Sequence, residues 1–217
     1  MAALTAVVGA CGNAEEPATG FEAPGPAPAG EPASPTLESP PGTGVTQISD
    51  IFGPACNQIP TQGEGSAQGM VDDPVATAAS NNPMLTTLTK AVQAANLADT
   101  LNSAEAITVF APADSAFQAF EAQNPGIINQ LTTAPDVASP NSQLATTLKY
   151  HVVGNRYDAA GIVERGTLTS LQGGQINIGG TEAAPTVNGA QVLCGNIPTR
   201  NATVFIIGQV LSPPATP

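Results

Sequence analysis

The chain contains no tryptophan, a single histidine and only five basic side chains among 217 residues. Those five, Lys90, Lys149, Arg156, Arg165 and Arg200, are scattered, and against 17 acidic residues they leave a formal net charge of −12. Nucleic-acid binding needs clustered Lys and Arg to neutralise phosphates and release counterions, so it is excluded. Electrostatic docking on anionic lipid is excluded for the same reason. With His151 as the one imidazole, any histidine-based zinc site or catalytic triad must use it. The apolar stretch that opens the chain is too short to cross a bilayer. With 10% charged and 41% hydrophobic residues, the composition suits one globular domain plus a sizeable tail.

Leu4 to Ala10 is small and apolar and runs directly into Cys11, as does the end of a signal-peptide h-region with small residues at its cleavage site. Val8-Gly9-Ala10-Cys11 resembles the lipobox of bacterial lipoproteins, in which the cysteine thiol is acylated. Residues 1–11 are therefore read as a partial signal peptide, with Cys11 the expected lipidation site. The competing reading is an apolar N-terminus with an incidental cysteine. No Lys or Arg precedes the stretch, and a signal peptide carries a positive n-region, so either the true translation start lies upstream or Met1 is misassigned as the start. Residues 12–47 hold eight prolines (Pro17, Pro24, Pro26, Pro28, Pro32, Pro35, Pro40, Pro41), five glutamates and few large apolar groups. Such chain cannot bury a core, which predicts a disordered Pro/Glu-rich spacer holding a domain away from a membrane.

From 48 to 217 the pattern becomes that of a mixed helix and strand domain. Asp73-Pro74 and Asn82-Pro83 each set a capping side chain before a proline suited to a first helical turn, predicting two helix starts. Leu85, Leu88, Val92 and Ala95 recur at helical spacing with Thr86, Lys90 and Gln93 turned to water, and this helix should end near Asn96. A short helix carries Leu97 and Leu101, and Ala106 to Ala111 reads as a strand. Asp114 is placed to cap a helix holding Phe117 and Phe120. Thr132 to Gln143 reads as a loop, and a further helix runs through Leu144 and Leu148 to the Tyr150-His151 pair. Strands follow at Thr167–Leu171, Gln175–Ile178, Thr186–Val187, Gln191–Cys194 and Thr203–Leu211. Gly173-Gly174, Gly179-Gly180 and Asn188-Gly189 separate them and supply the positive φ of tight hairpins. Helices dominate the first half and strands the second, so the fold class is α+β rather than alternating α/β.

Three cysteines are an odd number for an exported chain. If Cys11 is acylated, Cys56 and Cys194 remain, and outside the cytoplasm they are expected to pair. That bridge would close most of the domain into one loop, worth roughly 4 to 5 kcal/mol on chain entropy. Two separate buried thiols are the alternative.

Catalytic groups are poorly supplied. There is no G-x-S-x-G elbow, Asp114 and Ser115 are adjacent and cannot easily both converge on His151, and Asp72-Asp73 is better explained as helix capping than as an acid dyad. No D-x-D-x-D-G loop, H-E-x-x-H or cysteine cluster points to a metal, and no cofactor is implied. Gly63 to Gly69 has the wrong spacing for a phosphate loop and carries Glu64, so it reads as a flexible loop. Asn201-Ala202-Thr203 fits a glycosylation sequon, which has no weight beside a bacterial lipobox. An imidazole next to Tyr150 at a helix end is most often structural.

Thr108-Val109-Phe110-Ala111-Pro112-Ala113-Asp114-Ser115-Ala116-Phe117 resembles the first signature of fasciclin (FAS1) domains, and Tyr150-His151-Val152-Val153 resembles the second. Thr167 to Gly173, Val187 to Ala190 and Val210 to Pro214 are similar to the family's closing strands, and the resemblance runs from about Ile51 to Pro214. Asp73 to Leu85 and Asn201 to Ile206 resemble the mycobacterial secreted fasciclin antigens more closely, with Cys56 and Cys194 where that group has its disulfide. The family's usual Thr-Asn pair after Phe-Ala-Pro is Ala113-Asp114 here, and the Asp that often follows the last strand is Gly208.

The resemblance implies one compact FAS1 domain, a β-sheet sandwich or wedge with several helices. It implies a non-catalytic role in adhesion or in protein and matrix contact at the outer cell surface, held by the lipid on Cys11 or secreted. The tyrosine and histidine region is implicated in receptor binding in animal members, which makes Tyr150 and His151 the candidate interaction residues. Two other classes remain open: an envelope binder of a small apolar or glycan ligand, favoured by a dry pocket with convergent polar groups, and a hydrolase relying on Ser115 and His151.

Overall fold

The computed structural model describes residues 44–213. Cys11, the segment 1–11 and residues 12–43 of the spacer lie outside the described residues. Residues 44–47, which composition assigns to the spacer, are seated on the domain. Gly44 and Thr46 are buried, and the Gly44 carbonyl accepts hydrogen bonds from Arg156 Nε at 2.9 Å and from the Thr203 hydroxyl.

After two short 3-10 turns, Ile48–Asp50 and Cys56–Gln58, come four α-helices: α1 (Ala67–Met70), α2 (Val75–Asn81), α3 (Thr86–Ala94) and α4 (Ala98–Ser103). The Gly63 to Gly69 run, expected to be a flexible loop, turns into α1, whose start is capped by the Ser66 hydroxyl accepting from Gly69 N at 3.1 Å. Asp73 does not cap α2. Pro74 occupies the cap position and has no side-chain acceptor, so the first free amides are served from a distance. Val75 N donates to Asn201 Oδ1 and Ala76 N to Asn102 Oδ1, each at 2.9 Å. Asn82 instead holds the turn before α3, its Oδ1 accepting from Met84 N at 2.9 Å. In α3 itself Leu88, Ala91 and Val92 are buried while Thr86, Lys90 and Gln93 face water, as the 3.6-residue period predicts.

The strand β1 (Ile107–Pro112) leads into α5 (Asp114–Gln123). Asp114 does not cap its own helix, because Ala113 takes that position. Its carboxylate reaches across to α3, accepting from Thr87 N at 2.8 Å and from the Thr86 hydroxyl at 2.6 Å. Burial pushes this carboxyl up, but the hydrogen bonds from Thr86 and Thr87 outweigh it and hold the group below the usual aspartate value. Then come α6 (Ile127–Thr133), α7 (Gln143–Tyr150), β2 (Val152–Val153) and α8 (Ala159–Arg165). Helix α8 is not apparent from apolar spacing. Asp158 caps α8, accepting from Gly161 N at 2.7 Å, and Gly166 ends it at φ +65°.

The remaining strands are β3 (Thr167–Thr169), β4 (Gln175–Thr181), β5 (Ala184–Val187), β6 (Ala190–Pro198) and β7 (Ala202–Ile207). They form one seven-stranded sheet in the order β2-β1-β7-β6-β5-β4-β3, in which β1 and β7 pair parallel and the other neighbours antiparallel. A bridge between Val153 and Ser170 brings the two edges together, so the sheet is nearly closed. Asn188 (φ +48°) and Gly189 (φ +83°) make the expected tight turn between β5 and β6. Gly179-Gly180 does not separate strands but lies inside β4, and Glu182-Ala183 turns the chain. Gly180 has φ +81°, and a Cβ there would sit 2.3 Å from the Ala184 carbonyl oxygen. The last strand ends at Ile207 rather than at Leu211.

Period-two alternation splits the buried side chains into two cores. From β7, Ala202, Val204 and Ile206 join Leu88, Val92, Leu144 and Leu148 under the helices. Phe205 and Ile207 face the other way, toward Phe110, Tyr150, Ile162, Ile176 and Val187 within the curled sheet. Cys56 and Cys194 are joined by a disulfide with Cα atoms 5.0 Å apart. It fastens the segment before α1 to β6, beside the Phe52–Gly195 bridge, and removes the reading of two separate thiols.

Candidate functional site

Tyr150, the last residue of α7, is 2% exposed. Its hydroxyl donates to the Gln175 carbonyl at 2.7 Å and accepts from Asn188 Nδ2 at 2.8 Å, tying the helix end to β4 and to the β5–β6 turn. His151 follows and is 3% exposed. Its Nε2 accepts the Leu211 amide at 2.9 Å, which puts the imidazole proton on Nδ1, 2.8 Å from the Thr147 carbonyl that accepts it. Burial lowers the His151 pKa to about 4, outweighing the Thr147 carbonyl, which favours the charged form. The ring is therefore neutral near pH 7. Both side chains are buried, with His151 reaching the surface only at the floors of two clefts. With both nitrogens committed to main chain, His151 also has no free position from which to activate Ser115, which is exposed on α5.

Concavity lies on either side of His151 instead. One cleft, of about 220 Å³, opens between α2, α3 and α4 and reaches down to Val109 and Phe110 of β1 and Leu148 of α7. The other, of about 300 Å³, is walled by Phe117 and Phe120 of α5, by Ile127, Ile128 and Leu131 of α6, and by Val210. Leu88, Leu148 and His151 line both and form the partition between them. The five wall residues of the second cleft on α5 and α6 are only half-buried, so their apolar surface is offered to solvent. Sequence reasoning missed this site because α6 was not recognised. The apolar triplet Ile127, Ile128 and Leu131, at i, i+1 and i+4, was the available signal. Among the described residues no group of three or more His, Cys, Asp or Glu side chains gathers in a way that could hold a metal.

The fasciclin-domain family model matches residues 83–213. The chain belongs to the fasciclin family. This fasciclin chain is 42% identical over 175 residues to the immunogenic protein MPB70 of Mycobacterium bovis, covering 76% of the chain and 84% of that protein. It is 40% identical over 198 residues to the cell surface glycolipoprotein MPB83 of the same species, covering 88% and 83%. A FAS1 domain pair from the insect cell adhesion molecule Fasciclin I superposes with a TM-score of 0.58 at 18% identity, over 66% of this chain and 52% of that one. The fasciclin chain thus spans about half of the pair, and at that identity the likeness is one of fold. Its Asn201-Ala202-Thr203 sequon is structural: Asn201 is buried and its Nδ2 donates to the Leu101 and Ala104 carbonyls at 2.8 and 2.7 Å.

Proposed function

We propose that this fasciclin domain is a non-catalytic adhesion module on the outer face of the cell envelope, joined to the membrane through lipidated Cys11 and its proline-rich spacer. Its contact surface is the cleft between α5, α6 and the segment at Val210, and its partner is a protein or matrix component that inserts apolar side chains there. The observation that carries this reading is the half-buried wall of Phe117, Phe120, Ile127, Ile128 and Leu131. Binding hot spots are built from aromatic and aliphatic anchors of this kind seated around a concavity. The surface name of MPB83 and the adhesion name of the insect molecule support the setting.

The test is adhesion of bacteria displaying the full chain to matrix-coated and cell-coated surfaces. Ile128→Asp, which puts a charge in the half-buried wall at a residue outside both core clusters, is expected to lower adhesion at least tenfold. Tyr150→Phe, which changes only a buried hydroxyl, is expected to leave it unchanged. Equal adhesion by wild type and Ile128→Asp would remove the cleft from the function. Loss of membrane association in Cys11→Ala, followed by fractionation, tests the anchor.

A second reading, binding of a small apolar ligand in the envelope, is favoured by the depth of the other cleft, whose floor includes fully buried Phe110.

A further inference from the structure

The cleft between α2, α3 and α4 has the anatomy of a ligand pocket. Its floor is hydrocarbon: Val75, Leu88, Val92, Val109, Phe110 and Leu148 are all buried. Its rim is polar, with Thr77, Ser80 and Gln93 exposed at the mouth. The polar groups that reach the wall are already committed. Asn102 Oδ1 accepts from Ala76 N, the Thr89 hydroxyl donates to the Leu85 and Ala79 carbonyls, and His151 is held at both nitrogens. The interior thus asks nothing of a ligand but hydrocarbon contact, and buried space of that character stays dry.

Size and shape narrow the ligand. A cavity of about 220 Å³ falls below the roughly 300–1,000 Å³ of drug-sized sites. A dry cavity of about 150 Å³ takes a six-carbon ring, so by proportion this one takes roughly eight to ten carbons. Leu101, Leu148 and Val152 also line a separate, smaller hollow of about 140 Å³ whose wall includes Leu97, Leu171 and, away from the mouth of the cleft, Lys149. Two adjoining hollows that share the Leu148 wall suit a flexible chain better than a rigid ring. The rim offers hydroxyl and amide groups and no cation, on a protein of net charge −12, so a carboxylate or phosphate head would be repelled.

We propose that the α2–α3–α4 cleft binds a single unbranched alkyl chain carrying an uncharged, hydroxylated head group. The proposal rests on the small-ligand reading and is separate from adhesion through the α5–α6 cleft. The chain lies on Val92, Val109 and Leu148, and the head hydroxyls meet Ser80, Thr77 and Gln93.

Titration of the full chain with 1-alkylglycerols of increasing length, each kept in its monomeric range, tests this. Affinity is expected to rise about fourfold per added methylene, the increment for burying a CH₂ group, and to level off near ten carbons. Decanoate at neutral pH is expected to bind at least tenfold more weakly than decylglycerol. Ser80→Trp, an exposed rim substitution that leaves the core intact, is expected to block binding, and Ala98→Leu to weaken it at least tenfold. Saturable binding of toluene with no chain-length dependence for the alkylglycerols would overturn the alkyl inference while keeping a small apolar ligand. Absence of saturable binding by either probe would overturn both. Equal binding of decylglycerol by wild type and Ser80→Trp would overturn the assignment to this cleft.

Discussion

The imidazole of His151 accepts the backbone amide of Leu211 through Nε2 at 2.9 Å. This bond pins the segment that leaves the last strand to the end of α7, and it requires that the ring be uncharged, since a protonated imidazole has no acceptor. The histidine that sequence resemblance nominates for receptor contact is thus a fastener between two parts of the main chain.

Stability should follow the charge state of that ring. Unfolded, the imidazole gains its proton as pH falls through about 6.5, whereas folded it does so only near 4. Between those values the unfolded chain binds more protons, so stability is complete above the upper value and is lost as pH falls toward the lower. The expected loss is about 3 kcal/mol across that window. Urea unfolding midpoints measured at intervals from neutral pH down to about pH 4 check it. His151→Gln should be less stable at neutral pH and should show a flattened dependence in the same window. An unchanged slope would show that other groups govern it.

Asp114 should matter to α3 rather than to the helix it begins. Asp114→Ala leaves the Thr87 amide and the Thr86 hydroxyl without their acceptor, and the expected cost is about 1 kcal/mol, as for loss of a helix cap. Asp114→Asn keeps an acceptor and should recover most of the loss near neutral pH. Hydrogen exchange localises the effect: amides in the first turn of α3 should exchange faster in the alanine variant, with α5 unchanged. Faster exchange confined to α5 would contradict the cross-helix role.

The bridge between Cys56 and Cys194 spans 138 residues. The paired Cys56→Ser and Cys194→Ser variant, or reduced wild type, should lose about 2 to 5 kcal/mol by chemical denaturation. Because the bridge fastens the segment before α1 to β6, protease susceptibility should rise first between Phe52 and Ile59.

Features carried by local chemistry were legible in the sequence. The period of α3, the β-branched run of β1, the Asn188-Gly189 turn and the α+β division all follow from neighbouring residues. The misreadings share a cause. Asp73 and Asp114 look like caps for the helices that follow them, but the acceptors actually used by α2 come from Asn102 and Asn201, and the one used by α3 comes from Asp114. Each partner is remote in sequence and adjacent only after folding. The two glycines of β4 look like a turn in the sequence, yet Gly180 serves a close approach to the Ala184 carbonyl and Gly179 one to the Thr186 hydroxyl. At the candidate site Tyr150 and His151 were visible as a motif while their burial was not. The clefts escaped notice because each is walled by elements drawn from distant stretches of the chain.

The strand nearest the C-terminus, β7, lies inside the sheet, with β1 on one side and β6 on the other. Helices α2, α3 and α7 are made early and bury their apolar faces against side chains that this late strand supplies. A nascent chain that has not reached Ala202 therefore lacks the wall on which its first half condenses, and the pairing that completes the sheet is among the most non-local in the molecule. Folding of such a topology is slow, because the chain between the paired strands must be closed before their contacts reward it. The helices made before β7 accordingly stay without their packing surface until residues 202–207 have been synthesised.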